Sequence, residues 1–312
     1  MCFRSLVAKR FFFPNGRVVP PAPPVYAHPV AHGDPFKSVV PDDAVPSSEA
    51  DLSKIDTSVA HPARIYDYWL GGKDNFAADR EAGDLVIASR PRLRESVRAN
   101  RAFLGRVVEL LAGELGVTQF LDIGTGIPSA DNTHEVAQRV APDARVVYTD
   151  NDPIVLAHAR ALLTSNKLGA TAYLDIDLRD TGKLLARAAD TLDFTQPIAV
   201  MLLGVLHLIS DDEDPWRIVA TIMDAVPSGS YLVITHPASD LLPETQREAS
   251  RRYNQNVATH QTLRSYDEVA RFFDGLEVLE PGLVQWHLWR PNPGDAAPAE
   301  FKSGHCGVAR KP

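Results

Sequence analysis

Apolar positions follow two alternating rhythms from about residue 56 onward. The first is helical. Residues 77–89 carry Ala78, Ala82, Leu85 and Val86 between polar side chains, and Pro91 ends the segment. In residues 92–115, Leu93, Val97, Leu104, Val108, Leu111 and Leu115 recur at steps of three, four or seven. That spacing stacks them on one helix face. Arg94, Arg98, Arg101 and Arg106 fall on the other face, which reads as solvated, and Gly116 is placed to cap the end. The second rhythm is short apolar runs, which predict strands at 118–122, 145–149, 171–175, 197–203 and 230–235. Helices are predicted between them at 131–141, 153–166, 181–189 and 214–226. This alternation predicts a doubly wound, mostly parallel α/β sheet of Rossmann type with helices on both faces. Further helices are expected at 243–255 and 266–273, strands around 276–279 and 284–288, and a surface loop at 291–300.

Composition narrows the function classes. The chain has 312 residues, 45% hydrophobic and 23% charged, which is ordinary for a globular protein. A net charge of −8 leaves no overall footprint for nucleic acid or an anionic membrane. The two cysteines, Cys2 and Cys306, offer neither a disulfide framework nor a thiolate metal cluster, and fit a reducing cytoplasm. The longest apolar run, residues 198–209, is broken by Gly204 and His207 and falls short of the roughly 18 residues of a spanning helix. Residues 1–33 contain no acid, and seven prolines crowd positions 14 to 35. Pro14 cuts the only apolar run there short of the roughly 7–15 residues of a signal-peptide core. Residues 1–55 therefore read as a disordered extension and 56–312 as one domain, with a helical segment at 56–116 ahead of the sheet. Oligomeric state is not legible.

The chemistry concentrates in Phe120-Leu-Asp-Ile-Gly-Thr-Gly-Ile-Pro128. An apolar strand stops at Asp122 and opens into Gly124-Thr125-Gly126, and a second strand ends in Asp150. Strand, glycine turn, helix, strand and acid make the layout of a nucleoside-binding crevice. A dinucleotide site needs a third glycine, but that position is Ser129. Asp122, two residues before the first glycine, would repel a diphosphate and suits a cofactor bearing an ammonium and a sulfonium. Asp150 is placed to accept from both ribose hydroxyls. The alternatives are local: the glycines serve a tight turn, and Asp150 caps the helix from Pro153, although Asp152 suits that better.

The pattern Asp-x-Gly-x-Gly, then Asp150, then Asp177 after the third strand resembles class I S-adenosylmethionine-dependent methyltransferases. More narrowly, the chain is similar to the actinobacterial S-adenosyl methyltransferase family, once a domain of unknown function. The likeness is carried by Ala63-Arg-Ile-Tyr-Asp-Tyr-Trp-Leu-Gly-Gly-Lys-Asp-Asn-Phe-Ala-Ala-Asp-Arg80, the glycine turn, Val147-Tyr-Thr-Asp-Asn-Asp-Pro153 and Phe272-Phe-Asp-Gly-Leu-Glu-Val-Leu-Glu-Pro-Gly282. It implies S-adenosylmethionine as cofactor, with Gly124, Thr125 and Gly126 under its methionine part and ribose. By the same resemblance Asp122 would meet the amino group, Asp150 the ribose, Asn151 the adenine, and Asp177 with Leu178 the adenine edge. Asp175 and Asp180 are the alternatives to Asp177.

Residues 61–75 pack Arg64, Tyr66, Asp67, Tyr68, Trp69, Gly71, Gly72, Lys73 and Asn75 together. They read as a lid, with Tyr66 and Tyr68 near the sulfonium and Arg64 or Lys73 near the methionine carboxylate. The plainer alternative is an amphipathic helix with Tyr66, Trp69 and Leu70 in the core. His207, after the fourth strand, is a candidate general base alongside Tyr66 as a catalytic candidate, and His236 has similar standing. Tyr253, Asn256 and His260 are candidates for the acceptor pocket. Asp211-Asp-Glu-Asp214 reads as a helix start rather than a metal site. The reading is a cytoplasmic methyltransferase acting on a small-molecule acceptor, with no metal, nucleic acid or membrane partner. A non-catalytic cofactor-binding module and a nicotinamide-dependent oxidoreductase are the alternatives.

Overall fold

The computed structural model describes residues 56–155, 168–241, 243–255, 257, 259–293 and 301–312. The proline-rich segment, most of the helix expected at 153–166 and much of the loop at 291–300 lie outside these. Three helices open the fold: α1 (Pro62–Leu70), α2 (Ala77–Ser89) and α3 (Leu93–Glu109), whose last turn loosens into a π-turn at Leu110–Glu114. The sheet follows as β1 (Gln119–Ile123), β2 (Arg145–Asp150), β3 (Ala170–Asp175), β4 (Ala199–Leu203) and β5 (Tyr231–His236). Between and after these strands come α4 (Thr133–Val140), α5 (Thr181–Ala188), α6 (Pro215–Ala225), α7 (Pro243–Asn254) and α8 (Tyr266–Ala270). Two short strands, β6 (Glu277–Val278) and β7 (Val284–Gln285), and a longer one, β8 (His305–Arg310), complete it.

Each parallel strand sorts its side chains by the two-residue pleat. Leu121 and Ile123 of β1 join Val147, Val200, Leu202, Leu232 and Ile234 on one face of the sheet. Phe120 joins Val146, Tyr148, Met201 and Val233 on the other. The register fits: Leu121 sits beside Val147 on one side and Val200 on the other. Both faces are covered, so these strands read as unbroken apolar runs. A third cluster, with Ile65, Val86, Leu93, Val97 and Tyr253, packs α1, α2, α3 and α7 together.

Strand order is β3-β2-β1-β4-β5-β8-β6, with β7 also paired to β8. The chain winds outward from β1 to β3, then returns to β4, so the direction of winding reverses between β1 and β4. In such sheets ligands bind at that switch point, outside the carboxyl ends of the strands. The far edge departs from expectation. The strands foreseen around 276–279 and 284–288 shrink to two residues each, and unforeseen β8 pairs antiparallel with β5, from Tyr231 opposite Arg310 to His236 opposite His305. Glycine at 307 hid this strand, but Phe273 packs so close that a Cβ there would collide with its ring.

Candidate functional site

The carboxyl ends of β1 and β4 border a cavity of about 350 Å³, within the range of small-molecule sites. Its sheet side is built from Asp122–Gly126, Thr149–Asn151, Ile176–Arg179, Leu203–Val205 and His207. Its helical side is built from His61, Tyr66 and Trp69, then Val86 and Arg90, then Leu93, Val97, Arg101 and Leu104, with Tyr253 from α7.

The glycine turn is pinned from both ends. Gly124 N–H donates to Thr149 O at 2.8 Å, and Gly126 N–H donates to Asp150 Oδ2 at 2.8 Å. Both glycines have positive φ, 70° and 68°. That left-handed backbone costs other residues roughly 1–2 kcal/mol. Asp122 is buried at the end of β1, where its Oδ2 accepts from Thr133 Oγ1 at 2.6 Å. Thr133 is held at the start of α4 by the Asn132–Glu135 capping box, in which Asn132 N–H donates to Glu135 at 2.7 Å. Burial, opposed by the Thr133 bond and by Arg101, pushes the Asp122 carboxyl up to about 6. A buried acid that titrates so close to neutrality is one that a cation in the cavity would ionise.

Asp150, Asn151, Asp177 and Leu178 gather at the ends of β2 and β3. Asp150 Oδ1 also accepts from Asp152 N–H at 3.0 Å. Asn151 donates to Asp177 at 2.8 Å, and Asp177 accepts from Arg179 N–H at 2.8 Å. Arg179 also grips Glu213, holding that carboxyl at about 2. Leu178 is buried beneath them. The alternatives have other work: Asp180 accepts from Lys183 N–H and caps α5, while Asp175 is exposed. Asp152, not Asp150, accepts from Ile154 N–H at 2.9 Å as the cap of the segment from Pro153. It also meets His61 Nδ1 at 2.7 Å, tying the first helix to the end of β2.

The segment at 61–75 lies partly on the cavity, and several expected roles need correcting. Arg64 does not line it. Its guanidinium faces Asp79 at 3.3 Å and donates to the carbonyls of Asp56 and Val59, so it is committed inside the wall. Lys73 is exposed, and Tyr68 donates to Asp84 at 2.7 Å outside the lining. Gly72 is required because a Cβ there would run into Asp67, whose carboxylate holds Asp74 N–H and the Asn75 amide. Tyr66 lines the cavity, but its hydroxyl donates to Val97 O at 3.3 Å and accepts from Asn100 at 3.0 Å. Burial pushes its pKa up, so no free phenol faces the cavity for acid–base work.

His207 lies on the wall with its Nδ1 buried and without a partner. Burial and nearby Arg264 lower it to about 4, so the ring is neutral near pH 7. His236 is corrected outright. It is fully buried and outside the cavity lining, with Nδ1 against Pro237 O at 2.9 Å and Nε2 against Arg264 at 2.9 Å. Arg264 can only donate, so Nε2 accepts and the proton sits on Nδ1. Tyr253 lines the cavity; His260 is exposed outside it, and Asn256 lies outside the described residues. Nor is the arginine face of α3 uniformly solvated. Arg106 is buried, donating to Trp289 O and Trp286 O, and Arg101 reaches Ala130 O and Asn132 at the cavity edge. Asp214 caps α6 by accepting from Arg217 N–H. No metal-ligating group of three occurs among the described residues.

Thr133, Arg90 and Arg264 were not anticipated. A hydroxyl eleven positions beyond Asp122 carries no spacing signal, and single arginines look like surface residues until the fold brings them to the cavity wall or the core.

A family model described as S-adenosyl methyltransferase matches residues 48–312. Among solved structures, a DUF574-family protein from Streptomyces avermitilis is 44% identical, with TM-score 0.80, over 83% of this chain and 100% of its own. A candidate methyltransferase from Thermobifida fusca is 42% identical, with TM-score 0.75, over 82% of this chain and 96% of its own. A search of curated proteins returns no match.

Proposed function

This chain belongs to the S-adenosyl methyltransferase family, and from that premise we propose that it methylates a small-molecule acceptor held between the sheet's carboxyl edge and the first three helices. It is an S-adenosylmethionine-dependent methyltransferase of class I fold. The family answers the oxidoreductase and non-catalytic alternatives. The observation that carries the site reading is Asp122, a buried carboxyl beside the glycine turn that titrates near 6.

The residues fit the cofactor. A Cβ on Gly126 would meet nothing within 4 Å, which leaves open space above the turn for a ligand. In this reading Asp122 faces the cofactor's ammonium, Asp150 keeps lone pairs for ribose hydroxyls, and Asn151, Asp177 and Leu178 border the adenine. S-adenosylmethionine supplies an electrophilic methyl group on a sulfonium. What the chain adds is alignment and exclusion of water, and orientation alone is worth roughly 7–11 kcal/mol in good cases. Trp69, Leu93 and Val97 supply the apolar cover. His207, neutral and on the cavity wall, is the candidate to accept the acceptor's proton. Its pKa of about 4 makes it a weak base, so an acceptor that is already nucleophilic suits it better.

The titration of Asp122 gives a signed prediction. Only the carboxylate attracts the cofactor's cations, and from pH 5 to pH 7 the ionised fraction of a group at about 6 rises about tenfold. Calorimetry should therefore show the dissociation constant falling about tenfold over that interval, then levelling. Asp122→Asn should flatten the profile; a flat profile in the wild type would sink the assignment. Fold stability runs the opposite way. The native acid keeps a proton that the unfolded chain has lost above 3.8, so the contribution of Asp122 is full below 3.8 and is lost as pH rises through about 6. The acceptor class is tested by S-adenosylhomocysteine release with the low- and high-molecular-weight fractions of a cell extract. Release with the macromolecular fraction alone would overturn a small acceptor.

A further inference from the structure

Arg90 stands apart from the other basic side chains of the cavity. His61 faces Asp152, Arg101 reaches Ala130 O and Asn132, and Arg179 is held by Asp177 and Glu213. Arg90 lines the same cavity, yet its guanidinium has no hydrogen bond or ion pair among the described residues. Arg90 is half-buried, and the partial loss of water pulls it below the ordinary arginine value with no acid to offset it. Cavity carboxylates are engaged elsewhere: Asp122 with Thr133, Asp150 with Gly126 and Asp152, Asp177 with Asn151 and Arg179.

The backbone that carries this arginine is fixed. Arg90 N–H donates to Val86 O at 2.9 Å, and its carbonyl accepts from Leu93 N–H at 2.9 Å. Pro91 follows and stiffens the corner between α2 and α3. The helical wall around it is apolar and aromatic. Val86, Leu93 and Val97 line it, with Trp69 and Tyr253, whose ring centres lie 6.5 Å apart at 42°. Trp69 donates its indole N–H to Gly83 O at 3.2 Å, so its polar edge is satisfied within the wall.

A partly desolvated cation without a counter-charge is unfavourable unless a ligand brings one. A planar guanidinium matches a carboxylate with two parallel bonds. One uncompensated positive charge balances a monoanion, whereas a phosphate dianion would ask for more donors.

We propose that the methyl acceptor carries a carboxylate on a flat apolar body, bound by Arg90 while Trp69, Tyr253 and Leu93 pack against the body. The inference rests on the methyl-transfer reading above.

The test uses the full chain saturated with S-adenosylhomocysteine and titrated with benzoate or benzamide, its neutral isostere, by ligand-observed NMR. Benzoate should bind at least about tenfold more tightly than benzamide. Arg90→Met should abolish that preference while S-adenosylhomocysteine affinity stays within about twofold of wild type. Equal binding of the two probes to wild type overturns the proposal and needs no variant. So does a preference that survives Arg90→Met. A loss of S-adenosylhomocysteine affinity of about tenfold or more in Arg90→Met also overturns it, because the guanidinium would then serve the cofactor's own carboxylate. Failure of wild type to bind S-adenosylhomocysteine at all would remove the parent reading first, before either probe is added.

Discussion

Gly124→Ala should damage both the fold and cofactor binding, while Gly126→Ala should damage chiefly binding. The two glycines share a left-handed backbone, with φ of 70° and 68°. Any side chain there carries roughly 1–2 kcal/mol of strain. Their surroundings differ. A Cβ on Gly124 would run into the Cβ and methyls of Val205, and a Cβ so close to its own backbone cannot swing aside. Overpacking of that kind adds roughly 1–3 kcal/mol, so Gly124→Ala should lose about 2–5 kcal/mol in urea unfolding. Because both Gly124 and Val205 line the cavity, relief of the clash reshapes it, and affinity for S-adenosylmethionine should fall by at least about tenfold. Gly126 faces open space, so Gly126→Ala should lose only about 1–2 kcal/mol of stability. Its new methyl would occupy the volume assigned to the ligand, with an affinity loss again of at least about tenfold. Calorimetry that finds Gly126→Ala binding as tightly as wild type would reduce the glycine to a turn residue.

Arg264→Met should lower stability by about 3–5 kcal/mol, seen as a shifted denaturation midpoint. Arg264 is only 1% exposed, yet every direction of its fork is used. It donates to Leu206 O at 2.9 Å, Ile209 O at 2.8 Å, His236 Nε2 at 2.9 Å and Asp211 at 2.8 Å. The stacked rings of Trp216 and Phe272 lie beside the guanidinium, their centres 5.2 and 5.8 Å from it. Methionine fills much of that space but leaves two buried acceptors, Ile209 O and His236 Nε2, without donors, each worth roughly 1–3 kcal/mol when orphaned, and strips Leu206 O of one of its two donors. Leu206 and Ile209 flank His207, so the same arginine positions the segment that carries the candidate proton acceptor. A midpoint within about 1 kcal/mol of wild type would show that the segment after β4 holds itself.

The sequence was most legible where one force dominates. Strands β1, β2, β4 and β5 are almost wholly buried, so their apolar runs mark them, and the glycine turn with its flanking acids located the switch point. Legibility failed where a residue's role depends on distant partners. The side chain of Arg64 resembles a ligand-binding cation, but Asp79 and two carbonyls claim it. His236 looked equivalent to His207 because both follow apolar strands; only Arg264, far along the chain, separates a locked imidazole from one on the cavity wall. β8 was missed because Gly307 and Ala309 lower its apparent strand character, although burial between β5 and the β6–β7 edge makes small side chains necessary.

The position of β8 has a consequence for how the protein is made. Its neighbour β5 is buried along its whole length, yet the strand that shields it emerges some 70 residues later, pairing His236 with His305. On a translating ribosome the parallel half of the sheet can assemble while β5 still presents a bare, sticky rim. Pairings this remote in sequence form slowly, and an open apolar rim recruits other chains. Recovery of active protein should therefore hinge on how quickly the last strand is captured, and on how dilute the nascent chains are until it is.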